Sequence, residues 1–187
     1  MNTLTSWPNL ITCARILLAP VLVIVYYLPI HGMHTIAACV FVLASFSDWL
    51  DGYVARTYGL TSSFGAFLDP VADKIIVAIA LVILVAQHNY HFLVLPAIII
   101  IVREIIVSGL REWMAEVGKR ASIAVSYVGK CKTALQMIAI TLLLLASDDM
   151  NNKVALLGYV LLYIAAFLTL WSMVMYLKAA WPELERS

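Results

Sequence analysis

Charge is scarce in this chain. Asp, Glu, Lys and Arg make up 12% of its 187 residues, about half the share of an average soluble domain. The 12 basic and 11 acidic residues nearly cancel to a net charge of +1, and they form no basic run. A nucleic-acid surface, which needs a basic patch to replace counterions, is therefore excluded as the expected role. Cysteine is rare too, at three residues. Cys13, Cys39 and Cys131 lie far apart in apolar stretches, which fits neither a disulfide framework nor a zinc site, so they read as small buried hydrophobes. No internal repeat or low-complexity tract is present. What the chain has instead is apolar surface: 64% of residues are hydrophobic and mean hydropathy is +0.96. A soluble globule of this size cannot hide so much, whereas lipid solvates it. The same figures exclude disorder.

A membrane-spanning helix needs about 20 mostly apolar residues. Six stretches qualify, near 10–28, 34–56, 66–87, 91–112, 128–147 and 153–177. Together they predict one all-α, membrane-embedded domain over 1–187, with an interfacial segment at 1–9, short connectors, a retained first helix and a polar tail from Pro182 to Ser187. Orientation follows from Lys and Arg, which favour the cytoplasmic side. With the N-terminus there, only Lys153 of the 12 basic residues falls on the far side. Both termini are thus expected in the cytoplasm. Tyr26, Tyr27, Tyr90, Trp113, Tyr176 and Trp181 lie near span ends, where amphipathic rings anchor in the headgroup layer.

The few charges are not scattered. Asp48, Asp51, Arg56, Asp69 and Asp73 crowd the ends of two consecutive spans. An aspartate at mid-bilayer costs about 2.5–3.5 kcal/mol, so four need partners. Residues three and four apart share a helix face. Asp48, Asp51, Gly52 and Ala55 therefore form one stripe, Asp69 and Asp73 a second, and a short hairpin lets the two face each other. Four carboxylates brought together are balanced by two divalent cations, and hard oxygen donors suit Mg²⁺ or Mn²⁺. Gly52 and Ala55 leave that face open to a ligand.

The string Asp48-Trp49-Leu50-Asp51-Gly52-Tyr53-Val54-Ala55-Arg56, followed after eight residues by Gly65-Ala66-Phe67-Leu68-Asp69-Pro70-Val71-Ala72-Asp73, resembles the DxxDGxxAR…GxxxDxxxD motif of the CDP-alcohol phosphatidyltransferases at every fixed position. Pro8 to Thr12 with Arg15 resembles that family's N-terminal segment. Arg103 to Trp113 and Gly129 to Thr133 resemble its bacterial members that use glycerol 3-phosphate. The resemblance implies a six-helix membrane fold, a homodimer, and an active site facing the cytoplasm from the bacterial inner membrane. It also implies that Asp48, Asp51, Asp69 and Asp73 hold the metals, with Asp73 as general base. Gly52, Arg56 and Ser62 would contact the donor, CDP-diacylglycerol, beside the open face at Ala55.

The acceptor is read from the remaining cations. Arg103, Glu104, Ser108 and Arg111 recur at helical spacing on the fourth span, and Ser126, Lys130 and Thr133 on the fifth. Arg103, Arg111 and Lys130 converging would bind a phosphate-bearing acceptor such as glycerol 3-phosphate. A relative using an inositol phosphate would need a similar pocket. A divalent-cation transporter is the competing class, since intramembrane carboxylates also mark ion pathways. Transporters place such sites at the midplane between repeats, and here the carboxylates sit near one surface.

Overall fold

The structure is a computed structural model. It describes the backbone of residues 7–58, 63–87, 91–117, 127–146 and 152–184, and side chains within 11–47, 68–86, 91–117, 131–146 and 152–181. The described elements are six α-helices, α1 (Trp7–Tyr27), α2 (Met33–Tyr58), α3 (Ser63–Gln87), α4 (Val94–Glu116), α5 (Tyr127–Leu145) and α6 (Lys153–Leu184), with one 3₁₀ turn at His91–Leu93 before α4. Each of the six apolar stretches falls on one helix. The ends differ from expectation. Helix α1 starts at Trp7, because Pro8 suits a first turn whose N–H groups have no helical partner. Helix α6 takes in Pro182–Leu184, which the sequence assigned to a tail.

Local chemistry sets the other boundaries. Helix α1 gives way to a tight turn in which Ile30 N–H bonds Leu28 C=O at 2.8 Å and Gly32 takes φ +80°, a conformation that side chains with a Cβ resist. Asn152 caps α6, its Oδ1 accepting from Val154 N–H at 2.9 Å. Pro20 and Pro70 sit inside α1 and α3. Each removes one backbone hydrogen bond from its helix, a local loosening that falls immediately beside Asp69 in α3.

The helices close into a ring. Helix α1 packs on α2 and α3, α2 continues to α5, α3 to α4, and both α4 and α5 meet α6. Buried side chains from all six form one core, among them Leu22, Phe41, Ile76, Leu84, Ile100, Ile140, Leu143 and Leu162. Alanines 19, 37, 44, 80, 139 and 166 let backbones come close. The outer surface is apolar as well, carrying Leu17, Leu43, Ile105, Leu156, Phe167 and Trp171. Water would penalise so continuous an apolar surface. Among the described residues, His91–Glu116 and Lys153–Trp181 are long and apolar enough to cross a membrane, and Ile11–Tyr27, Met33–Ser47 and Cys131–Leu145 are shorter apolar helical segments.

This inversion overturns two expectations. Cys39 and Cys131 are exposed and Cys13 is half-buried; an apolar outer face gives a small hydrophobe no reason to go inside. Tyr26 and Tyr176 point inward, at 1% and 7% exposure, unlike the exposed Tyr27 and Trp181, because each finds a partner there. Tyr26 packs edge-on against His34, and Tyr176 meets Arg111.

Helices α5 and α6 approach closely at Gly158, where a Cβ would stand 2.8 Å from Leu143 Cγ and 3.3 Å from Leu143 N. Helix propensity favours Ala over Gly by about 1 kcal/mol, while overpacking costs about 1–3 kcal/mol. Gly158→Val, which has no such propensity gain, should therefore lower the thermal unfolding midpoint in detergent by several degrees. An unchanged midpoint would show that Leu143 yields freely.

Candidate active site

The site begins on α3, where Asp69 and Asp73 lie one turn apart. Asp69 Oδ1 accepts a hydrogen bond from Thr12 Oγ1 at 2.5 Å. Asp73 Oδ1 accepts one from Arg15 Nη1 at 2.7 Å. The Arg15 side chain is fully buried, whereas that of Asp73 is 39% exposed. That exposure opens onto a cavity.

The cavity holds about 930 Å³, and its described lining comes from α2 to α6. One part is polar, with Asp73, Lys74, Arg103, Glu104, Arg111 and Lys132. Four cations against two carboxylates leave a net charge of +2 on these residues. Another part is apolar, with Val42, Phe46, Val77, Ile138 and Leu142. Arg103 is buried and donates to Glu104 Oε1 at 2.5 Å and, more weakly, to Ser172 Oγ at 3.4 Å. Arg111 lies over the Tyr176 ring, 5.3 Å from its centroid, and donates to the Tyr176 hydroxyl at 3.2 Å. Lys132 is 3% exposed, and its Nζ has no hydrogen-bond partner among the described residues. A buried ammonium without a partner is costly, and an anion entering the cavity would supply one.

The sequence-derived candidates fare unequally. Asp73 from α3 and Arg103 and Arg111 from α4 all line this cavity. Asp69 stands one turn behind Asp73, on the same helix face. Asp48, Asp51, Gly52, Ala55 and Arg56 fall in the final turns of α2, and Lys130 in the first of α5, but their side chains lie outside the described residues. Ser62 lies outside them altogether. Lys132 joins Asp73, Arg103 and Arg111 in the lining, although the spacing of Ser126, Lys130 and Thr133 does not single it out. Its signal was present, since Lys132 and Gln136 continue the buried stripe of Ala139, Ile140 and Leu143, and polar residues on a buried stripe have a task. Thr12, Arg15 and Tyr176 had no readable partner in the sequence, each reaching one 57 or more residues away.

Among the described residues, no three His, Cys, Asp or Glu side chains gather around one point. The donors in place, Asp69 and Asp73, are hard carboxylate oxygens, and Asp73 is open to the cavity. They fit a hard divalent cation and would suit zinc or copper poorly.

Comparison with known proteins places this geometry. A family model described as CDP-alcohol phosphatidyltransferase matches residues 5–171. The chain is 50% identical over 177 residues to a protein of Yersinia enterocolitica named CDP-diacylglycerol–glycerol-3-phosphate 3-phosphatidyltransferase, covering 95% of this chain and 96% of that one. A Pseudomonas fluorescens protein of the same name is 50% identical over 184 residues, covering 95% and 91%. One from Salmonella choleraesuis is 49% identical over 177 residues, covering 95% and 96%. The match runs through every helix that lines the cavity, and the chain belongs to the CDP-alcohol phosphatidyltransferase family.

Proposed function

We propose that this protein transfers the phosphatidyl group of CDP-diacylglycerol to glycerol 3-phosphate, giving phosphatidylglycerophosphate and CMP. The observation that carries the reading is one cavity that joins Asp73 to the cations Arg103, Arg111 and Lys132. The relatives' names supply the same pair of substrates. A phosphate monoester carries close to two negative charges, matching the +2 of the described polar lining. Arg111, already oriented by Tyr176, offers a planar fork to that phosphate, and Lys132 offers a point charge. The apolar part of the cavity suits the acyl region of the donor.

In this reading the acceptor hydroxyl attacks the phosphorus that bears the diacylglycerol oxygen. The new P–O bond forms as the bond to the CMP oxygen breaks, and the hydroxyl proton passes to the Asp73 carboxylate. Asp48, Asp51, Asp69 and Asp73 would hold two divalent cations, Mg²⁺ or Mn²⁺, which when bound would supply positive charge against the donor pyrophosphate and the CMP leaving group. Gly52, Ala55, Arg56 and Ser62 receive the donor headgroup. No Ser, Cys or His nucleophile takes part. The working unit is a homodimer of six-span chains in the bacterial inner membrane, with both termini and the cavity mouth on the cytoplasmic side.

Three measurements test this. Purified protein given labelled CDP-diacylglycerol and a panel of acceptors should release CMP only with glycerol 3-phosphate, and chelation should abolish release until Mg²⁺ or Mn²⁺ returns. Release with inositol phosphate would overturn the acceptor, and full activity in excess chelator would overturn the cation role.

Arg111→Ala and Lys132→Met should each raise KM for glycerol 3-phosphate, leaving KM for CDP-diacylglycerol nearly unchanged. Loss of a charge-assisted contact costs about 1.5–3 kcal/mol, or roughly 10- to 150-fold. Equal rises in both KM values would make these residues general supports of the cavity.

Fluorescent-protein fusions at either terminus should glow, and alkaline phosphatase fusions at the same points should stay inactive. The opposite pattern at either end would reverse the topology.

A further inference from the structure

Helix α1 supplies none of the described cavity lining, yet it touches the site from behind. Thr12 and Arg15 lie one turn apart on α1 and meet Asp69 and Asp73, one turn apart on α3, in register. Both α1 residues are 1% exposed. The Arg15 side chain is fully buried while Asp73 opens to the cavity. The guanidinium thus grips one oxygen from the closed side, and the carboxylate presents itself on the open side.

Packing alone does not account for this arrangement. A buried ion pair contributes little net stability, and apolar residues of similar volume join two helices as well or better. What apolar residues cannot supply is a fixed orientation for two carboxylates. Hydrogen bonds to the outer side of a metal-ligating group do that, and their loss weakens metal binding by about 10- to 100-fold.

We propose that Thr12 and Arg15 are positioning residues, fixing the orientation of the Asp69 and Asp73 carboxylates that receive a divalent cation, and that α1 thereby sets cation affinity without contributing a ligand. The inference rests on the cation reading given above. It competes with a simpler electrostatic effect, since Arg15 is itself positive and repels a cation nearby. The two effects have opposite signs, so one measurement separates them.

Mn²⁺ binding to the purified full-length protein, followed by the electron paramagnetic resonance signal of free Mn²⁺, reads this directly. Arg15→Met should weaken binding about 10- to 100-fold, Thr12→Val should weaken it less, and Arg15→Lys should recover part of the loss. Turnover lost in Thr12→Val should return at high Mn²⁺, with KM for glycerol 3-phosphate unchanged. Should Arg15→Met not fold, Thr12→Val and Arg15→Lys carry the test. Unchanged or tighter Mn²⁺ binding in folded variants would overturn the positioning role and leave the cation reading standing. Absence of Mn²⁺ binding by the parent protein would overturn both.

Discussion

A charge set among apolar helices must be answered by another group, because neither lipid nor packed hydrocarbon solvates it. The arrangement of this protein follows from that requirement. Arg15 is answered by Asp73 and Arg103 by Glu104, while Arg111 rests on an aromatic ring and hydroxyl. Lys132 alone among these has no hydrogen bond at its charged atom from the described residues. The groups satisfied within the protein form the frame of the site, and the ammonium left over marks where an anion belongs.

The ring of helices makes the rest possible. Six helices around a shared core leave an interior wide enough for substrates at the end where Thr12, Asp73, Arg103, Lys132 and Tyr176 lie, and packed solid elsewhere by residues such as Phe41, Ile76 and Leu143. Close backbone approach, as at Gly158 against Leu143, fixes α5 against α6 on the side away from the carboxylates.

Much of this was legible in the sequence, for physical reasons. Hydropathy located the six helices because each is one long, mostly apolar stretch bounded by polar residues or turn formers. The acidic motif located Asp69 and Asp73, and helical spacing put Arg103 and Arg111 on one wall, since both are local properties of a helix. Contacts between distant segments were not legible. Nothing around Arg15 names Asp73 as its partner, and the inward turn of Tyr176 depends on Arg111. The choice of Lys130 over Lys132 came from matching spacing to Ser126 and Thr133 rather than following the buried stripe from Leu143 back to Lys132. The cysteines were misplaced because an inside-versus-outside rule for soluble proteins loses its meaning where both sides are apolar.

The pairing of Arg15 with Asp73 also has a temporal side. Helix α1 is synthesised first and α3 third, so the guanidinium is made before its carboxylate, and the pair is complete within the first 73 residues. The cavity cations on α4 and α5 arrive later. The first three helices thus contain both members of this ion pair, and the second half of the chain brings its cations to a carboxylate that already has one partner.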